Sequence, residues 1–340
     1  MKDISCLNAL SRSWERMKAI LFQPFSLDKW LILGFCVWLA YLFDNWGSSF
    51  NFNFGGSGVG KVDKGLKPVW KLLRKFFVDK QPVTERISES LGIPVNTLLF
   101  IIAFAAFAAL AGIAIFLVTL WIKSRFEFIL IDNVALNKAE VVNPWNKFKA
   151  AGNSAFLFRT VLWALSFAVF ATMAVITVFL LYNWIKLCAI SEKLCFPGWG
   201  AISSLIIISV LWLAAAIIFG LTNFFFKEFI LVIMYRKGRR AVNACYDFFS
   251  LIKENTWLFV RYWLMKIMVV FAFGIAVILL IIFTCCLAAI PLIIPYIGTV
   301  VLLPAFIFFR LLGMEMLAAV GPDYDVFPKP EPPPMPSEQS

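Results

Sequence analysis

Three glutamates, Glu127, Glu228 and Glu315, stand at matching places in this 340-residue chain. Three arginines, Arg159, Arg261 and Arg310, fall close to the same ends of its apolar segments. Ionisable side chains at membrane depth cost much desolvation and by default mark an ion or proton path. At headgroup level the same residues have a plainer use: arginine binds phosphates, pairs with glutamate and fixes helix ends. Their position at segment boundaries favours that plainer use, with the glutamate–arginine sets joining neighbouring parts of the chain.

Other chemistry is sparse. The chain contains no histidine, which removes Ser-His-Asp and Cys-His nucleophile systems, histidine metal ligands and histidine proton relays together. Lysine- or carboxylate-based catalysis stays open, but no carboxylate pair has a suggestive spacing. Gly55 to Lys61 imitates the G-x-x-x-x-G-K phosphate loop, yet Val62 replaces the Ser or Thr that would bind Mg²⁺. Gly65 and Pro68 then interrupt the helix that should receive the phosphates, so a Gly/Ser linker is the better reading. Of seven cysteines, Cys36, Cys285 and Cys286 lie in apolar segments as small packing residues. Cys188 and Cys195 share one loop, where an oxidising compartment would bridge them and a reducing one would leave two thiols. No catalytic, cofactor-binding or metal residue is assigned, and no cofactor is expected.

The elements that position these residues follow from composition. Hydrophobic residues make up 61% of the chain and charged residues 15%, against about 45–50% and about 25% in soluble domains. Six apolar segments emerge: Trp30–Phe43, Leu98–Ile122, Val161–Trp184, Ala201–Phe226, Ile267–Ile290 and Pro291–Phe309. The first has only 14 uninterrupted apolar residues, about 21 Å of helix against a hydrocarbon core of about 30 Å. It must snorkel through Asp28 and Lys29 or thin the bilayer. Trp46, Trp121, Trp184 and Trp263 sit near segment ends, as in an aromatic belt. The fold class is therefore an all-α polytopic membrane bundle of about six spans with interfacial amphipathic helices.

Lysine and arginine set the expected orientation. Residues 1–29, 123–154 and 227–255 carry five, five and six of them, against eight in 44–97, two in 185–200 and none between the last two spans. Both termini are expected in the cytoplasm. The eight in 44–97 fit a surface helix in which Val69, Trp70, Leu72, Leu73, Phe76 and Phe77 face Lys71, Arg74 and Lys75 across the helix. The net charge of +11 points to anionic membrane lipids as partners, not to nucleic acid.

An internal repeat organises the segments. Glu127-Phe128-Ile129-Leu130 recurs as Glu228-Phe229-Ile230-Leu231, and Leu157-Phe158-Arg159 as Phe259-Val260-Arg261. A fainter copy is Glu315-Met316-Leu317. The unit is an amphipathic helix, a span, an external loop, a second span and a terminal glutamate. The expected organisation is one membrane domain over 1–320, with parallel repeats near 5–130, 131–233 and 234–320 and an extracytoplasmic insertion at 44–92. In the first amphipathic helix, Leu7, Leu10, Trp14, Met17 and Leu21 share a face opposite Arg12 and Arg16. In the second, Asn143 is placed as N-cap with Pro144 at the first helical position. The third covers about 238–253. Residues 321–340 hold seven prolines and are expected to be a disordered tail.

An amphipathic helix, Pro24-Phe25 before the Trp30-led span and the Glu-Phe-Ile-Leu span end together resemble a loose group of bacterial multipass membrane proteins. That group is similar to the membrane domain attached to some glycerophosphodiester phosphodiesterases. The resemblance covers most of residues 5–320 and implies a bacterial cytoplasmic membrane location and an architecture. It implies no activity, because the catalytic domain and its metal-binding set are missing. Two functions stay open: a non-enzymatic component organising lipids or partner proteins, and a transporter or channel for a small solute. Polar residues converging on a hydrated cavity would favour transport. A dry seam such as Ala105, Ala109 and Gly112 would favour packing.

Overall fold

A computed structural model of the chain describes residues 6–42, 94–190, 199–284, 291–292 and 294–328. These residues form helices α1 (Cys6–Phe22), α2 (Leu27–Ala40), α3 (Val95–Leu136), α4 (Val142–Lys147), α5 (Lys149–Ile190), α6 (Trp199–Phe225), α7 (Leu231–Lys237), α8 (Ala241–Phe283), α9 (Pro295–Val301) and α10 (Leu303–Val320). A π turn, Phe226–Ile230, joins α6 to α7, and a 3-10 turn, Pro322–Tyr324, follows α10.

Five helices among the described residues are long and apolar enough to cross a membrane: Asn96–Leu136, Lys149–Asn183, Ile202–Lys237, Ala241–Phe283 and Leu303–Val320. The segment expected as the first span forms α2, whose 14 residues reach about 21 Å, too short to count among those five. Leu33, Cys36, Val37 and Ala40 on it are buried within the protein. The last expected span is broken, because Leu302 leaves helical geometry between α9 and α10. The amphipathic pieces placed before the second and third repeats run on into the long helices. Phe148 (φ −100°, ψ 20°) separates α4 from α5, and Asn255 (φ −131°, ψ 37°) kinks α8. Asn143 is not the N-cap of α4, which begins at Val142 after Val141.

The chain divides into two compact units. One comprises residues 1–45, 119–161 and 221–340; the other comprises 46–118 and 162–220. A 42-residue helix such as α3 is about 63 Å long, twice the hydrocarbon thickness. Its chemistry changes accordingly along its length. Leu99, Phe100, Phe104, Phe107, Leu110 and Val118 stand exposed, whereas Phe128 to Ile131 are buried. An apolar band exposed in this way is what hydrocarbon covers. The same change occurs on α8, buried at Phe259, Tyr262 and Lys266 and exposed at Phe271, Ile275 and Phe283.

The buried ends build the core of the first unit. Phe128-Ile129-Leu130 and Phe229-Ile230-Leu231, the recurring tetrapeptides without their glutamates, lie in it with Leu311, Leu312, Met316 and Leu317 of α10. Phe229 packs edge-on to Phe259 and Tyr262 and stacks on Phe248. α1 joins this core through Met17, Ile20 and Leu21, while Leu7 and Trp14 of its expected apolar face remain exposed. α2 meets α9 where the Tyr296 hydroxyl donates to the Leu31 carbonyl (3.1 Å). Within the expected tail, Val326 and Phe327 are buried; residues 329–340 lie outside the described ones.

This division predicts opposite outcomes for two similar substitutions. Phe128→Ala should cost about 3–5 kcal/mol of stability, the usual cost of deleting a buried phenylalanine. Phe104→Ala, on the exposed band, should leave the thermal midpoint in detergent nearly unchanged. Equal losses at both positions would contradict the assignment.

Candidate functional site

The three glutamates are all buried in the first unit, each beside a cation from another helix. Glu127 of α3 meets Arg159 of α5, with Nη2 2.6 Å from Oε2. This contact is an ion pair without in-line hydrogen-bond geometry: among the described residues neither Glu127 oxygen accepts a hydrogen bond. Arg159 also donates from Nη1 to Ser124 Oγ (3.4 Å), and its guanidinium lies 4.9 Å from the Phe226 ring centre. The aromatic face adds favourable electrostatics to a charge with little access to water.

Glu228 sits in the π turn, where the widened helix meets α8 and α10. It pairs with Lys266 Nζ and accepts a hydrogen bond from the Tyr262 hydroxyl (3.0 Å). α10 passes so closely that a Cβ at Gly313 would lie 2.7 Å from Glu228 Oε2. A side chain at this position would displace the carboxylate and press on the Glu228 carbonyl oxygen, 3.3 Å away. One turn earlier on α10, Arg310 donates from Nη1 to the Lys227 carbonyl (2.6 Å). Its Nε and Nη2 have no hydrogen-bond partner among the described residues. Glu315 closes the set by pairing with Arg16 of α1, whose guanidinium also lies 3.7 Å from the Phe327 ring centre.

The arrangement differs from the expected glutamate–arginine sets in two respects. Arg261 is exposed and stands 5.3 Å from the Trp257 ring, away from Glu228. Arg310 binds a backbone carbonyl instead of Glu315. Lys266, Tyr262, Gly313 and Arg16 are members that sequence reasoning missed. A signal for Lys266 was present in the backbone breaks. Arg159 lies eleven residues beyond the break at Phe148, and Lys266 eleven beyond the kink at Asn255. The local match of Arg159 to Arg261 counted along the sequence and so lost the register that the kink resets.

Around this set run further ties. Asp132 of α3 accepts from the Tyr235 hydroxyl of α7 (2.9 Å) and pairs with Lys147 of α4 (3.3 Å). Arg125, buried, lies against the rings of both Trp121 and Trp145, 4.4 and 4.7 Å from their centres, and donates to Asn153 Oδ1 (3.0 Å). Among the described residues no group of three or more Cys, Asp and Glu could hold a metal. Cys195 and the side chain of Cys188 lie outside the described residues; Cys36 and Cys245 are free thiols.

Five helices among the described residues, each long and apolar enough to cross a membrane, are those expected of a helical membrane protein. The chain belongs to DUF7544, a family of unknown function, whose profile matches residues 4–322. No curated protein and no solved structure matches it. The family match gives no link to glycerophosphodiester phosphodiesterases.

Removing one partner of a buried pair strands a charge, at about 3–5 kcal/mol, whereas replacing both with apolar groups is often neutral. Glu228→Ala should therefore lower the thermal midpoint strongly, and Glu228→Leu combined with Lys266→Met should recover most of the loss. Arg261→Ala should change stability by no more than about 0.5 kcal/mol, as at exposed sites. A double variant as unstable as Glu228→Ala would contradict the pairing.

Proposed function

We propose that the chain is a non-enzymatic multi-pass protein of a bacterial cytoplasmic membrane, with both termini cytoplasmic, that organises anionic lipid at its cytoplasmic boundary. On this reading the parallel repeats stand as three units joined through their terminal glutamates. The observation that carries the reading is that each of those glutamates already has its cation within the protein. Paired charges fix helix ends. A proton or ion path needs ionisable groups facing water, and these face one another.

The hydroxyls in the spans point the same way. Thr172, Thr177, Ser203, Ser209 and Thr284 donate to carbonyls of their own helices. Side chains engaged in this manner leave their helices apolar from outside. Ala105, Ala109 and Gly112, the candidate seam, are exposed on α3, with nothing among the described residues packed at Gly112, so the seam adds no support. The lipid preference rests on the exposed cations of α1, Arg12 and Lys18. Each lysine or arginine near an anionic surface contributes about 1 kcal/mol of attraction.

The lipid that co-purifies with the full chain tests this reading. Extracted from nanodiscs cut directly from membranes, it should be enriched several-fold in anionic headgroups over the bulk membrane, and proteoliposomes should be no leakier to small solutes than empty vesicles. A bulk-like lipid composition, or a saturable solute flux, would overturn it.

A further inference from the structure

Beside the ion-paired core lies a groove that the pairing does not use. Its volume is about 690 Å³, within the range of roughly 300–1,000 Å³ common to small-molecule sites. Helix α1 forms one wall, and α8 and α10 form the others. Trp14 meets Phe308 edge-on across it, with ring centres 6.0 Å apart, and Phe273 meets Phe309 in the same way. Ala272 and Ala305 keep the space between these rings open. The lining is apolar apart from Lys18 and Gln23 near the C-terminal end of α1.

Two facts identify the occupant. The α8 wall, Val269 to Phe273, belongs to the exposed apolar stretch that hydrocarbon would cover, so the groove opens where acyl chains lie. Lys18 is exposed one turn beyond Trp14, with its ammonium 5.7 Å from that ring, and no carboxylate among the described residues lies within ion-pair distance of it. Its neighbour Arg16 is already committed to Glu315. A dry slot with one uncommitted cation at its edge complements a molecule that is apolar along its length and anionic at its end.

We propose that this groove is a specific site for one anionic glycerophospholipid, with an acyl chain between Trp14, Phe273 and Phe308 and its phosphate on Lys18. The proposal rests on the lipid-organising reading above and narrows it to one site. A second apolar hollow, lined by Ile202, Ile206, Ser209, Val210 and Leu213, has no charged residue and serves as the comparison.

Native mass spectrometry of the full chain, delipidated in detergent and then given phosphatidylglycerol or phosphatidylcholine of identical chains, tests the site. Wild type should keep one phosphatidylglycerol in preference to phosphatidylcholine. Lys18→Gln should reduce that preference about fivefold, the factor one interfacial cation supplies. Ala272→Trp, at an exposed position on the groove wall, should abolish the retained lipid while leaving helical content and thermal midpoint as in wild type. Val210→Trp should keep it. As a second measurement independent of these variants, phosphatidylglycerol with a photoactivatable acyl chain should label wild-type peptides spanning 10–23, 269–273 or 304–309 in vesicles. Retention by Ala272→Trp, or labelling elsewhere only, would overturn the site while leaving a general preference for anionic lipid intact. Equal retention of both lipids by wild type would overturn the site, and bulk-like co-purified lipid would overturn the broader reading as well.

Discussion

A carboxylate removed from water stays ionised only beside a positive charge, and the first unit is arranged around three places where a buried glutamate has one. Glu127, Glu228 and Glu315 lie too deep for solvent to satisfy them. Their partners come from elsewhere in the chain: Arg159 of α5 for Glu127, Lys266 of α8 for Glu228, and Arg16 of the first helix, 299 residues before Glu315. Each pair ties one apolar helix end to a different element. The last returns the end of the chain to its beginning.

Helix α10 is where these ties converge. Arg310, Gly313 and Glu315 fall within two turns, and they contact respectively the Lys227 carbonyl, the Glu228 carboxylate and Arg16. The π turn at Phe226–Ile230 makes room for that convergence on the opposing helix. A helix of 18 residues with the composition of a span thus lies largely inside protein, while the longer helices keep a lipid-length stretch on their surface. Apolar composition alone does not distinguish those two solvents, since lipid tails and leucine side chains are equally apolar.

That ambiguity sets what was legible in the sequence. The membrane class, the all-helical architecture and the long apolar helices follow from composition and run length. The recurring Glu-Phe-Ile-Leu tetrapeptide pointed to residues that are in fact core. The apolar side chains of Trp30–Phe43 suit hydrocarbon and protein interior alike, and Leu33, Cys36, Val37 and Ala40 lie inside the protein. The local match leads to Arg261 and not to Lys266, the partner of Glu228, because it ignores the phase shift that the kink at Asn255 introduces. Arg16 was placed on the polar face of an amphipathic helix; only the fold brings α10 against that face, and no local pattern encodes so distant a contact.

The pairs also separate the two chemistries of this protein. Charge is spent internally at the glutamates, and what remains for the surroundings is apolar area edged by lysine, arginine and tryptophan. On the proposed reading, a membrane is the partner such a surface fits. Infrared difference spectroscopy of the full chain in lipid nanodiscs, comparing wild type with Glu127→Gln, Glu228→Gln and Glu315→Gln in turn, tests the central claim most directly. Each substitution should remove the absorption of an ionised carboxylate, because each glutamate is held as the negative half of an ion pair. Loss of a protonated carboxyl band instead would mean that the charges are absent and that something other than ion pairing joins these helices.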